Sequence, residues 1–237
     1  MRTLLSILAL LHVAASHLGA QTAEDVSAYF TLIGTPPGAL PAVLSSAMLD
    51  RPMTMPNLAV RYGHISTAGA SFNNVAATLG IPAGSKAMFG VTAGYQAIRC
   101  DGGCNGHFIA GASGEGRLTS TTLGTGGDAA RLTIGLNGEF GFGKPEGTTL
   151  VSLTGGLPIA LIAGGPAVKI APFLRPAIGW GRETNDIGSM TGTRFMLAGG
   201  VTFQSTASGV GGNIGFQKVF INGGDTTIRV SLILGAR

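Results

Sequence analysis

The sequence predicts an all-β protein: an antiparallel up-and-down transmembrane β-barrel of about ten strands, with eight or twelve also compatible. Three observations carry that prediction. The stretch Ala130–Gly143 alternates strictly. Leu132, Ile134, Leu136, Gly138, Phe140 and Phe142 stand against Arg131, Thr133, Gly135, Asn137, Glu139 and Gly141. Period two means a strand with one apolar and one polar face. Most other segments repeat the design between short turns. Finally, the polar faces are rich in Gly, Ala, Ser and Thr with a few charges of both signs. Such faces suit a narrow lumen, whereas strands facing water carry far more Lys, Glu and Asp.

Composition narrows the alternatives. The chain has 237 residues, of which 40 are glycine and only 11% are charged. No G-X-Y period appears, which excludes collagen. Beyond the first residues there is no apolar run of ~20, so helical spans are not expected. The net charge is +4 without any basic cluster, and nothing supports nucleic-acid binding.

In chain order, residues 1–20 read as a secretory signal peptide: Arg2 is basic, Leu4–Ala15 is a short apolar core, and Leu18-Gly19-Ala20 precedes the expected cleavage, with Ser16 as the alternative. Residues 21–56 read as an N-terminal arm or plug-like segment. Asp25–Ile33 is a possible strand, and Pro36, Pro37, Pro41, Pro52 and Pro56 interrupt the remainder of the segment. Residues 57–237 form the barrel. Its candidate strands are Leu58–Ser66, Phe72–Ile81, Lys86–Ile98, His107–Leu118, Ala130–Gly143, Thr148–Leu161, Val168–Arg182, Thr193–Gln204, Gly209–Ile221 and Thr226–Gly235. Pro82-Ala83-Gly84-Ser85, Gly164-Gly165-Pro166 and Asn222-Gly223-Gly224-Asp225 are turn signals. Thr119–Asp128 is a polar link and Asn185–Gly192 a loop. Cys100 and Cys104, in CDGGC, are expected to form a small intraloop disulfide in an oxidising compartment. Two sulfurs alone do not make a zinc site, and no metal or cofactor is expected.

The face assignment rests on the inverted polarity of a membrane barrel, apolar outward and polar inward. Lumen-facing candidates are Glu115, Arg117, Arg131, Glu139, Lys169, Arg175 and Arg229. If the strands run up and down, Tyr95, Phe142, Trp180 and Phe220 end rising strands, while Phe108 and Phe195 begin falling ones. All six then fall at one rim, as an interfacial aromatic girdle would. Pro158, Pro172 and Pro176 lie inside proposed strands, where they cannot donate to a ladder. Lys218 points toward lipid and must snorkel.

With its export signal, amphipathic strands and hairpins, the chain resembles the bacterial outer-membrane β-barrel proteins across roughly residues 57–237. It departs from their usual ending, since LILGAR finishes on Arg237 where a terminal aromatic is common. The resemblance implies export to the outer membrane, contact with its lipid and lipopolysaccharide, and engagement of the barrel-assembly machinery. It implies a structural barrel or narrow passive pore without enzymatic activity.

One motif points elsewhere. RYGHISTAG, at residues 61–69, resembles the H-x-S region of the outer-membrane lipid A deacylases. Spacing of two puts His64 and Ser66 on one face, as a base and nucleophile require. A triad also needs an orienting acid; Glu115 and Glu139 are remote candidates. A rim histidine beside a strand serine explains the same residues without chemistry. A third possibility is a secreted soluble β-sandwich binding module. Dependence on detergent separates it from the membrane readings.

Overall fold

Alternating strands joined by short turns can satisfy their backbone in an apolar medium only by hairpin upon hairpin, until the last strand meets the first. The computed structural model makes that closure. It describes residues 23–39, 48–49, 56–67, 70–100, 105–125, 129–165, 167–205, 208, 210–220 and 226–235, with backbone alone for 23–27, 38–39, 67, 100 and 226–235. The signal segment and the Cys100–Cys104 bridge lie outside the described residues.

Two helices come first, α1 (Ala23–Ile33) and the single turn α2 (Pro36–Ala39). The strands are β1 (Asn57–Thr67), β2 (Ala70–Pro82), β3 (Ala87–Cys100), β4 (His107–Leu123), β5 (Ala130–Gly143), β6 (Thr148–Gly156), β7 (Ile159–Ile162), β8 (Val168–Asn185), β9 (Gly188–Ser205), β10 (Gly211–Val219) and β11 (Thr226–Gly235). All pairings are antiparallel and join strands in chain order, with β6 and β7 both lying between β5 and β8, and β1 closes on β11 from Asn57↔Gly235 to His64↔Ile228. One rim carries the connections after β1, β3, β5, β8 and β10. The other carries the remaining connections, the start of β1 and the end of β11.

The segments β6 and β7 are one strand interrupted at Leu157-Pro158. The register is the same before and after the break, Asn137↔Gly156 and Ile134↔Ile159, so ten strands cross the barrel. Proline removes a donor here, but the neighbours compensate. Gly135 donates to the Pro158 carbonyl at 2.9 Å and Leu157 donates to the Pro176 carbonyl at 3.0 Å. The Ile170 N–H points toward the β7 side, where it meets the Ala163 carbonyl at 2.8 Å. Alternation aims the nitrogens of Pro172 and Pro176 the same way. They therefore face the interrupted strand near its break, where β6 pairs β8 as far as Gly156↔Ala177 and β7 pairs it at Ile159↔Leu174 and Ala160↔Phe173.

Three expectations are corrected. Asp25–Ile33 is helical, within α1. Tyr29, Leu32 and Ile33 are buried while Phe30 is 44% exposed, a helical spacing that strand alternation would not produce. The segment Thr119–Leu123 continues β4 past a bulge between Arg117 and Thr119, so the link to β5 is shorter than the polarity of the residues suggested. The segment Gly188–Gly192 is strand: β8 and β9 stay paired to Asn185↔Gly188, and the Asn185 side chain caps the turn by accepting from the Ile187 and Gly188 amides.

The polarity is inside out. Val75, Val91, Leu136, Leu153 and Ile178 are each more than half exposed on the outer wall. Asn74, Gln96, Thr133, Ser152, Thr202 and Asn213 are buried on the inner one. In water that arrangement would forfeit about 1.5–3 kcal/mol per large apolar side chain; in hydrocarbon it is the stable one. The apolar core lies inside the barrel, in two clusters. Toward the first rim, Tyr29, Leu32 and Ile33 pack on Ile65, Phe72, Ala177, Met196 and Val219. Toward the second, Met48 and Leu49 pack on Ala160, Ile162, Ala171, Phe173 and Ala198.

Candidate functional site

The lumen is the place where side chains from every part of the chain converge. Its occupant is the N-terminal arm, which descends from α1 near the first rim, through α2, to Met48 and Leu49 near the second. A backbone threaded through a barrel must find partners for its carbonyls away from water. Gln96 on β3 donates to the Ile33 carbonyl at 2.8 Å. His107 on β4 meets the Gly34 carbonyl through Nε2 at 3.0 Å, so that nitrogen carries the proton. Gln217 on β10 donates to the Pro37 carbonyl at 2.9 Å, and Lys169 on β8 reaches the Leu49 carbonyl at 3.5 Å. Thr35 and Ser152 share a hydroxyl–hydroxyl bond of 2.7 Å.

The wall is also shaped for the arm. A Cβ at Gly141 would lie 2.5 Å from Pro37 Cδ and 2.9 Å from Thr35 Cβ. One at Gly179 would lie 2.8 Å from Leu32 Cδ2. Gly111, Gly143 and Gly181 sit against Pro36, Gly34 and Thr31 in the same manner. Glycine here permits close approach, which accounts for part of the enrichment seen in the sequence.

Below α2 lies a belt of charge. Arg175 and Glu139 form an ion pair, with side chains 6% and 15% exposed. Asn137 donates to the same carboxylate oxygen of Glu139 at 3.1 Å, and Arg175 donates to the Gln217 carbonyl oxygen at 3.4 Å. Glu139, Arg175 and Glu115 all act electrostatically on Arg61. Gln217 thus joins the belt to the arm. The opposite charges of Arg175 and Glu139 hold each other, which is the condition for keeping charge out of water.

Among the sequence candidates, Glu115, Glu139 and Arg175 come together in this belt. Lys169 is on the inner face but lies lower, at the Leu49 carbonyl. Arg117 and Arg131 occupy inner register positions toward the second rim, opposite Gly135 and Thr122. Arg229 stands at an inner position between Gly63 and Gly215, its side chain outside the described residues. As a lone histidine next to a loop, His107 reads from the sequence as a rim residue, and it is instead buried against the arm. Arg61, Gln96 and Gln217 carry no signal in the sequence beyond their strand face. The polar-face alternation placed Gln96 and Gln217 inside, but nothing in it showed that they would hold a backbone.

On the outer wall, Tyr95 and Phe108 meet edge to face at 5.6 Å. Phe195 and Phe220 meet at 5.2 Å, with the Lys218 ammonium 5.7 Å from the Phe220 ring centre. Phe142 lies across from Ala110 and Val151, and Trp180 across from Leu153 and Thr193. His64 and Ser66 also face outward. Asn73 Oδ1 accepts from Tyr62 at 2.9 Å and from His64 Nδ1 at 3.0 Å. Glu115 and Glu139 are on the opposite side of the wall, so neither orients His64.

No protein-family model matches the chain, and no curated protein sequence matches it. Among solved structures it is similar to the translocator domain of the autotransporter NalP from Neisseria meningitidis. The TM-score is 0.32 at 17% identity, over 81% of this chain and 92% of that one, too distant for any property of NalP to be transferred. Closure, up-and-down order and an apolar outer wall around a polar inner one give this chain the architecture of the bacterial outer-membrane β-barrel proteins.

Proposed function

We propose that the protein is an integral, non-enzymatic barrel of the bacterial outer membrane whose lumen is kept shut by its own N-terminal arm. Passage of a solute then requires the arm to move. The supporting observation is the match between wall and arm: donors from β3, β4, β8 and β10 meet successive arm carbonyls, and wall glycines lie where the arm runs closest. In this reading residues 1–20 direct export, and the assembly machinery and outer-membrane lipid are the partners. Conductance in planar bilayers tests it. Wild-type barrels should be silent most of the time; steady conductance from unmodified protein would overturn the reading.

The hydrolase alternative has less support. Ser66 and His64 share a face, but Asn73 occupies the nitrogen that an acid would hold. Neither wild type nor Ser66→Ala should release acyl chains from lipid A; release by wild type that Ser66→Ala abolishes would reinstate the enzyme.

A further inference from the structure

On β1, β2 and β3 the outer wall changes character over a few residues. The register sets Tyr62, Val75, Tyr95 and Phe108 in one outward row. Above it come His64, Asn73 and Ala97, and above those Ser66, Ser71 and Arg99. On these strands hydrogen-bonding groups stand just above the aromatic row; on β8 and β9 the arginine above Trp180, Arg182, already meets Ser189 at 3.5 Å. Those groups are already organised. With its oxygen taken by Tyr62 and His64, Asn73 keeps its amide N–H groups for another acceptor. Arg99 is exposed and makes no hydrogen bond or ion pair with any described residue. It is diagonal to Asn73 across the β2–β3 ladder, roughly 7–8 Å away at the backbone and within reach of so long a side chain. Between them the wall is low. Ala97 is small, and the Tyr95 hydroxyl lies against Gly106.

The sign of the charge identifies the ligand class. No Asp or Glu occurs in β1, β2 or β3, so the seat offers donors and a cation with no carboxylate on its strands. An arginine fork with neighbouring N–H and O–H donors matches a phosphate. At girdle height on a lipid-facing wall, the phosphate within reach is that of a lipid headgroup. We propose that Arg99, Asn73 and Ser71 seat the phosphorylated headgroup of an outer-membrane lipid, with His64 and Tyr62 orienting the Asn73 amide and Tyr95 and Phe108 beneath the headgroup against the upper acyl chains. The proposal rests on the membrane-barrel reading.

The experiment is native mass spectrometry of detergent-folded protein offered bisphosphorylated lipid A and the dephosphorylated lipid with the same acyl chains. Heat-modifiable electrophoretic mobility confirms the fold of each variant. Wild type should retain the phosphorylated form about tenfold more strongly, and Arg99→Gln should bring the two lipids close to parity. Asn73→Leu should lower the preference while leaving retention of the dephosphorylated lipid unchanged. Parity in wild type, or an undiminished preference in folded Arg99→Gln, would overturn the seat. Protein that stays folded and soluble without detergent would remove the barrel reading itself, so the two failures are distinguishable.

Discussion

Replacing Gln96 and Gln217 by leucine tests how the arm is held. Each glutamine donates to an arm carbonyl, Ile33 and Pro37 respectively, at 2.8 and 2.9 Å. Leucine keeps much of the volume while removing the donor. A neutral hydrogen bond contributes about 0.5–1.5 kcal/mol net, and a buried carbonyl left without a donor costs about 1–3 kcal/mol. The sites are separated around the wall by β11, β1 and β2 and share no partner, so their effects should nearly add. About 2–4 kcal/mol against the seated arm shifts its equilibrium roughly 30- to 700-fold toward release. The readout is the open fraction of single barrels in a planar bilayer, with heat-modifiable mobility as the control for folding. A folded double variant with the open fraction of wild type would refute the claim that these bonds hold the barrel shut.

Other expectations come from the same geometry. Gly179→Val should drive Leu32 from its seat and expose the arm to limited proteolysis while the barrel band persists. Gly155→Val, at an outward glycine with nothing within 4 Å of the added atom, should not. Glu139→Gln removes the partner of buried Arg175 and should cost about 3–5 kcal/mol in urea unfolding from lipid vesicles; Arg175→Met on that background should restore part of it. Leu136→Arg on the lipid face should cost about 2–4 kcal/mol by the same measurement if the residue lies near the bilayer midplane. An unchanged unfolding midpoint would place Leu136 away from hydrocarbon.

The strands were legible because their signal is local. Each inner or outer position of Ala130–Gly143 is set by its neighbours two residues away, and the inverted polarity shows in what the polar faces lack. Glu139 and Arg175 could be assigned to the lumen from that period alone. Their pairing could not, because it depends on the stagger of strands far apart in the sequence. The unbroken register across Pro158 was likewise hidden, since proline marks a lost donor locally while the neighbouring strands decide whether the ladder continues. At Thr119–Leu123 and Gly188–Gly192, polar residues read as loops because polarity resembles a turn, yet cross-strand pairing outside the lipid band suffices to order them.

The arm marks the boundary between the two kinds of information. By itself the sequence determined that residues 21–56 differ from the barrel, that proline breaks them, and that about ten alternating segments follow, as a closed barrel requires. Only the tertiary structure decided that Tyr29, Leu32 and Ile33 form one face of a helix, and that Gln96, His107, Lys169 and Gln217 meet its backbone and the segment below. A strand's period is written into one stretch of chain. The seat of a threaded arm is written across strands separated by more than a hundred residues, and it exists only when the barrel has closed.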